Sequence, residues 1–270
     1  MNMQGDDRLY TNAEGRFRDS TDAYFPRTPW GSMGIKIFDF DNDGALDVFV
    51  TDMHSDMWED IGPDREKKKA RKLPPESTLQ GSANNIFGNA LYRNRGGGRF
   101  EEISDQVGVE NYWPWGPSIA DVNADGWQDI FIASSMNFPF RYGINSMLLN
   151  NRGRKFLDSE FLLGIEPRRE GRTATPWFEV DCSGEGIPPN NLLSLNPCQG
   201  RTGRIAVMAP LGSRSAAIFG LDNDGDLDIV TNDFNSQPQV LMSDLAARKP
   251  IRWLKVVLEG RGSIGAAWEP

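Results

Sequence analysis

Histidine is almost missing: His54 is the only one in 270 residues. Cysteine is nearly as scarce, with Cys182 and Cys198 alone, and basic residues (29) are outnumbered by acidic ones (38). No apolar run approaches the ~20 residues that span a bilayer as a helix. Each shortage excludes something. Without clustered His and Cys there is no zinc or copper signature, and hard oxygen ligands remain the only metal chemistry on offer. A net charge of −9 and a pI of about 4.8 argue against nucleic acid or an anionic membrane surface as partner. No Gly-x-Ser-x-Gly elbow and no Walker-type loop occurs, so nothing supplies a nucleophile with its base, and the chain is expected not to be an enzyme. His54 lies in Thr51-Asp-Met-His-Ser-Asp56; with Asp52 and Asp56 it offers a second metal site, but a surface-loop histidine explains it more simply. Met1 to Asp7 is polar and lacks a signal-peptide layout, so any export address is expected outside this chain.

What is abundant is punctuation. The 28 Gly and 17 Pro break the chain into short apolar runs, as strands and tight turns require. Three such stretches superimpose. They run from Gly34 to Val50 (acidic residues Asp39, Asp41, Asp43, Asp47), from Pro117 to Ile132 (Asp121, Asn123, Asp125, Asp129) and from Ala216 to Val230 (Asp222, Asp224, Asp226, Asp228). Each reads apolar strand, acidic loop, apolar strand. A second element alternates with the first: Leu9-Tyr-Thr-Asn12 then Gly15-Arg-Phe17, Leu91-Tyr-Arg-Asn94 then Gly98-Arg-Phe100, Leu148-Leu-Asn-Asn151 then Arg154-Lys-Phe156, and a fading copy at Val240-Leu-Met-Ser243. These predict strand–turn–strand hairpins. A repeat of this length predicts a propeller or solenoid of four-stranded units.

Acidic side chains at loop positions 1, 3, 5 and 9, with Gly at 6, match what calcium demands: six to eight oxygens at ~2.3–2.6 Å, some of them from the backbone. Gly44, Gly126 and Gly225 permit the sharp turn. The predicted ligands are Asp39, Asp41, Asp43, Asp47 and the Ala45 carbonyl in the first loop. Asp121, Asn123, Asp125 and Asp129 follow in the second, where one neutral ligand weakens binding. In the third, Asp222, Asp224 and Asp228 remain, Gly220 replaces the first Asp, and Asp226 compensates. An EF-hand is excluded, because position 12 carries no Glu and the flanks are β-branched and aromatic.

These strand–DxDxDGxxD–strand units resemble the FG-GAP/VCBS repeats of integrin alpha subunits and bacterial secreted proteins, over roughly Leu9 to Leu241. The resemblance implies an all-β fold: a β-propeller, partial here, with about three to four four-stranded blades over residues 1–250 and Ca²⁺ in the loops. Closed propellers need 4–8 blades, so the chain is expected to be a fragment or to close with other material. Residues 251–270 look like the start of a truncated ASPIC/UnbV domain of the cartilage-acidic-protein family. The carriers are Trp253-Leu-Lys-Val-Val-Leu-Glu-Gly260 and Ser263-Ile-Gly-Ala266; the Asn-Arg usual before Gly-Ile-Gly-Ala is absent.

Two insertions interrupt the repeats. Residues 53–80 carry the charge run Asp64-Arg-Glu-Lys-Lys-Lys-Ala-Arg-Lys72, which predicts a solvated segment. Residues 157–210 carry both cysteines, sixteen positions apart. A Cys182–Cys198 disulfide would stabilise by roughly 3 kcal/mol in the chain-entropy picture and fits an oxidising compartment. Trp30-Gly31 and Trp115-Gly116 recur before the acidic strands, which favours packing over sugar stacking for these aromatics and for Tyr112-Trp113. The resulting expectation is an extracellular, cell-surface or periplasmic scaffold that binds a protein or glycan and does not insert in a membrane. The alternatives are the propeller of a carbohydrate-active or biosynthetic accessory enzyme and a plain structural spacer.

Overall fold

The computed structural model describes residues 1–2, 5–53, 85–86, 88–111, 113–135, 142–183, 198, 200–254 and 256. His54, Tyr112, nearly all of the 53–80 insertion and the 257–270 part of the ASPIC/UnbV-like stretch lie outside them. No described helix is long and apolar enough to cross a membrane.

The architecture is all-β. A hairpin, β1 (Tyr10–Ala13) and β2 (Arg16–Asp19), comes first. The first large sheet follows, in the order β4 (Ser32–Phe38), β5 (Asp47–Asp52), β7 (Ala90–Asn94), β8 (Phe100–Glu102). A separate two-stranded sheet, β3 (Thr28–Pro29) with β6 (Asn85–Ile86), is parallel. The second sheet repeats the plan with β9 (Pro114–Ala120), β10 (Asp129–Ser134), β11 (Ser146–Asn150) and β12 (Phe156–Asp158). Between the second and third sheets the ribbon β13 (Ala174–Asp181) and β14 (Arg204–Pro210) pairs only with itself. The third sheet is β15 (Gly212–Phe219), β16 (Asp228–Phe234) and β17 (Val240–Leu241). One-turn helices α1 (Thr21–Tyr24), α2 (Ser104–Val107) and α3 (Leu245–Arg248) close hairpins or the end of the third sheet.

The sheets stack face to face because their second strands are apolar on both sides. Ile130 and Ile132 of β10 join Phe38, Phe49, Leu91 and Phe156 between the first and second sheets. Their neighbours Phe131 and Ala133 point the other way, packing with Met147 and Ile229 between the second and third. Burying each such large side chain contributes about 1.5–3 kcal/mol. The first strands of successive sheets approach closely. A Cβ on Gly34 would sit 2.4 Å from Pro117 Cδ, where no side chain fits, and one on the equivalent Gly116 would sit 3.2 Å from the Arg214 carbonyl, a tight approach.

The structure corrects the sequence alignment twice. Ile130 pairs with Leu148 as Val48 pairs with Tyr92, so the counterpart of Asn94 is Asn150 rather than Asn151. Each of these asparagines accepts from a turn glycine, Asn94 from Gly96 N–H and Asn150 from Gly153 N–H. The two Trp-Gly steps are likewise not equivalent. Ser32 pairs with Asp52 as Pro114 pairs with Ser134, which sets Met33-Gly34 against Trp115-Gly116. Both tryptophans nevertheless pack against the protein: Trp30 is buried, and the half-buried Trp115 ring carries the Arg214 guanidinium at 3.7 Å.

Leu157 and Asp158 belong to β12, so the long excursion starts after the second sheet is complete. The Cys182–Cys198 disulfide forms at the tip of the β13–β14 ribbon.

Candidate metal centre

The three acidic loops join β4 to β5, β9 to β10 and β15 to β16, all at the same end of their sheets. Their backbones share a conformation. The fourth position has positive φ (Asn42 54°, Ala124 51°, Asn223 62°), as does the sixth (Gly44 86°, Gly126 90°, Gly225 105°). Asn tolerates the left-handed region and Gly prefers it, while Ala124 is strained there.

Side chains then cap the turn. In the first loop Asp39 accepts from the N–H of Asp43 (3.1 Å) and Gly44 (2.8 Å), and Asp43 accepts from Ala45. In the second, Asp121 accepts from Asp125 and Gly126, and Asp125 from Trp127. In the third, where Gly220 removes that acceptor, Asp222 takes the N–H of Asp224 and Asp224 that of Asp226.

Position nine has a role that spacing alone did not reveal. Asp47, Asp129 and Asp228 are fully buried. One oxygen of each accepts from the second residue of its loop: Phe40, Val122 and Leu221. The other accepts from the residue ending the third strand of the first two sheets, Asn94 and Asn150, and in the third from Ser243, two residues past the end of β17. Each carboxylate therefore pins a loop to the neighbouring hairpin. Burial pushes Asp47 up to about 6 and Asp129 up to about 7, against the pull of those N–H groups.

Among the described residues, one group of three carboxylates comes together: oxygens of Asp39, Asp41 and Asp43 lie within 4.8 Å of one another. Asp47 is outside that group. Asp41 is held above the ordinary carboxylate range, chiefly by burial and further by Asp43 and Asp39, with Arg93 opposing. No such group forms among the carboxylates of the second and third loops.

Each loop also contains a buried oxygen that takes no hydrogen bond: Asp41 Oδ1, Asn123 Oδ1 and Asp226 Oδ1. Asp41 and Asn123 are equivalent third-position ligands in the expected set, and the Asp41 side chain is only 9% exposed. Leaving a buried acceptor unsatisfied costs about 1–3 kcal/mol. A hard cation contacting that oxygen removes the cost, so the donor set fits calcium chemistry.

The loops are neighbours. Asn42 Nδ2 donates to the Gly126 carbonyl (3.0 Å), Asn150 Nδ2 donates to the Phe40 carbonyl (2.8 Å), and Gly153 packs against Asp41. The C-terminal segment covers the other side: Lys249 donates to the Asn123 and Ala124 carbonyls, Ala246 N–H to Asp226, and the Trp253 indole lies against Gly225.

At the opposite end of the sheets, a polar chain that sequence reasoning missed runs through the interior. Asn89 accepts from Asp52 N–H and donates to Asn111, which donates to Ser134 Oγ. Asn145 accepts from Ser134 N–H and donates to Ser213 Oγ, which donates to Asp233. Asn89 and Asn145 precede Asn94 and Asn150 by the same interval, a spacing that was readable once the hairpins were aligned correctly. Arg168 ion-pairs with Asp233 and donates to Tyr142 Oη and Ser213 Oγ. Tyr142 in turn donates to Glu166, whose carboxyl burial holds above its ordinary range.

Comparison with known families matches residues 1–50 and 80–132 to the FG-GAP-like repeat, which takes in β1, β2, the first two acidic loops and the strands around them. No curated protein matches the chain.

Proposed function

We propose that this chain is a calcium-binding scaffold of the β-propeller type, its stacked sheets serving as blades, that works outside the cytoplasm as a non-enzymatic binding module. The observation that carries the reading is the buried, unbonded oxygen found in every acidic loop (Asp41, Asn123 and Asp226). Asp39, Asp41, Asp43 and Asp47 would hold Ca²⁺ in the first loop, with the Ala45 carbonyl, and Asp121, Asn123, Asp125 and Asp129 in the second. The third, with Asp222, Asp224, Asp226 and Asp228, has a different donor set because Gly220 leaves its first position empty. The ion supplies positive charge and coordination to a loop whose carboxylates otherwise repel one another.

Two further features support the location and the role. The FG-GAP-like repeat is typical of extracellular proteins, and a disulfide persists best in an oxidising compartment. The ribbon tipped by that disulfide exposes Trp177 (47%) and Phe178 (39%), aromatics suited to a protein or glycan partner.

Thermal unfolding in calcium, in magnesium and in EDTA tests the reading. A ligand that binds only the folded state adds about 2.7 kcal/mol at a hundredfold excess over Kd. A calcium-specific rise in midpoint is expected. Equal midpoints in calcium and EDTA for a folded protein would refute it.

A further inference from the structure

Arg93 stands at the penultimate position of β7, and its Nη2 lies 2.5 Å from Asp41 Oδ2 and 3.6 Å from Asp43 Oδ2. These are two of the three carboxylates that gather in the first loop. The pair is incomplete on both sides. Arg93 Nε and Asp41 Oδ1 are both buried, and neither has a hydrogen-bond partner. Nor is Arg93 held by its cross-strand neighbour Glu101, because that carboxylate is taken by Arg95.

The repeats make a controlled comparison. The residue one before the turn asparagine is Arg93 in the first sheet and Leu149 in the second, as the matching registers Arg93↔Glu101 and Leu149↔Leu157 establish. In the third sheet it is Met242, and in the first hairpin Thr11. Among the described residues, only the first loop receives a cation from its own sheet. Lys249 reaches the second loop, but it binds carbonyls and forms no ion pair with that loop's carboxylates.

Resting on the calcium reading above, we infer that Arg93 is a tethered competitor for the metal: a built-in cation that neutralises part of the first loop when no ion is bound and must withdraw for one to bind. It sets the affinity of that loop below the value its four carboxylates would otherwise give. The first loop, richer in charge than the second, is therefore not the tighter site by the margin that ligand counting suggests. Arg93 also offsets part of the repulsion among the gathered carboxylates of the metal-free loop.

The test is isothermal titration of calcium into the full chain and its variants. Arg93→Leu, which installs the residue of the second sheet, is expected to tighten one binding constant about tenfold, the effect of removing one unit charge some 6 Å from a dication in a watery environment. Arg93→Lys keeps the charge and is expected to stay within about threefold of the parent. Leu149→Arg is the reciprocal change and is expected to weaken the second loop about tenfold; it decides the matter if Arg93→Leu does not fold. Parental or weaker binding by Arg93→Leu, or unchanged binding by Leu149→Arg, overturns the competitor role while leaving calcium binding intact. A folded parent that takes up no calcium overturns both.

Discussion

Calcium should flatten the pH dependence of stability that the calcium-free protein shows between pH 5 and 8. Asp129 and Asp47 are fully buried, and burial pushes them to about 7 and about 6. In an unfolded chain an aspartate titrates near 3.9. A carboxyl whose folded pKa is raised contributes stability that is complete below the unfolded value and is lost as pH rises through the folded one. At about 1.4 kcal/mol per unit, the swing is about 4 kcal/mol for Asp129 and about 3 kcal/mol for Asp47. In EDTA, stability should therefore rise as pH falls from 8 toward 5. A dication at the loops reverses the preference, because it favours the ionised carboxylates and is displaced by protons. The increment added by calcium should be largest at pH 8 and shrink by about 1–3 kcal/mol at pH 6. Taking the difference between calcium and EDTA at each pH cancels charge effects elsewhere in this acidic protein. The assay is urea denaturation at four pH values with and without calcium. A calcium increment that is flat or grows on acidification would refute the reasoning, since it would mean that the buried aspartates are not the groups exchanging protons for metal.

Arg168→Met should cost about 3–5 kcal/mol, because the Asp233 side chain, 0% exposed, loses the cation paired with it; chemical denaturation checks it, and Arg168→Met/Asp233→Asn should cost clearly less than the two single changes added together. Asn150→Ala removes side-chain donors to the Phe40 and Gln128 carbonyls and the acceptor for Gly153, so a loss of about 2–3 kcal/mol is expected by the same assay. Cys198→Ser opens the ribbon tip; up to about 3 kcal/mol of local stability should go, seen as faster proteolysis between β13 and β14 with little change at the repeats.

Much of the fold was legible because calcium-type loops are written in side chains at fixed spacing. Asp39 to Asp47 and Asp121 to Asp129 announce a loop, and the Val, Ile and Phe around them announce strands. The hairpins were legible too, except where two asparagines adjoin: Asn150 and Asn151 both read as turn residues, and only the pairing of Ile130 with Leu148 chooses between them. The double duty of position nine was hidden, since its partners Asn94, Asn150 and Ser243 are remote in sequence and bind through backbone N–H groups that any residue supplies. Hidden for the same reason were Arg93, which looked like an ordinary strand residue, and the pairing of Arg168 with Asp233 across 65 positions. Spacing locates ligands that share a loop; contacts that close between sheets leave no periodic trace.

The aspartates at position nine also make the molecule self-reporting. The amide protons of Asn94, Asn150 and Ser243 each point at one oxygen of Asp47, Asp129 or Asp228. An amide bonded to a carboxylate shifts when that carboxylate gains a proton or an ion. Three resonances, one per repeat, should thus move independently as each loop fills. A single heteronuclear titration of nitrogen-15-enriched protein would then read the occupancy of every site without an attached reporter group, and in the order in which the sites load.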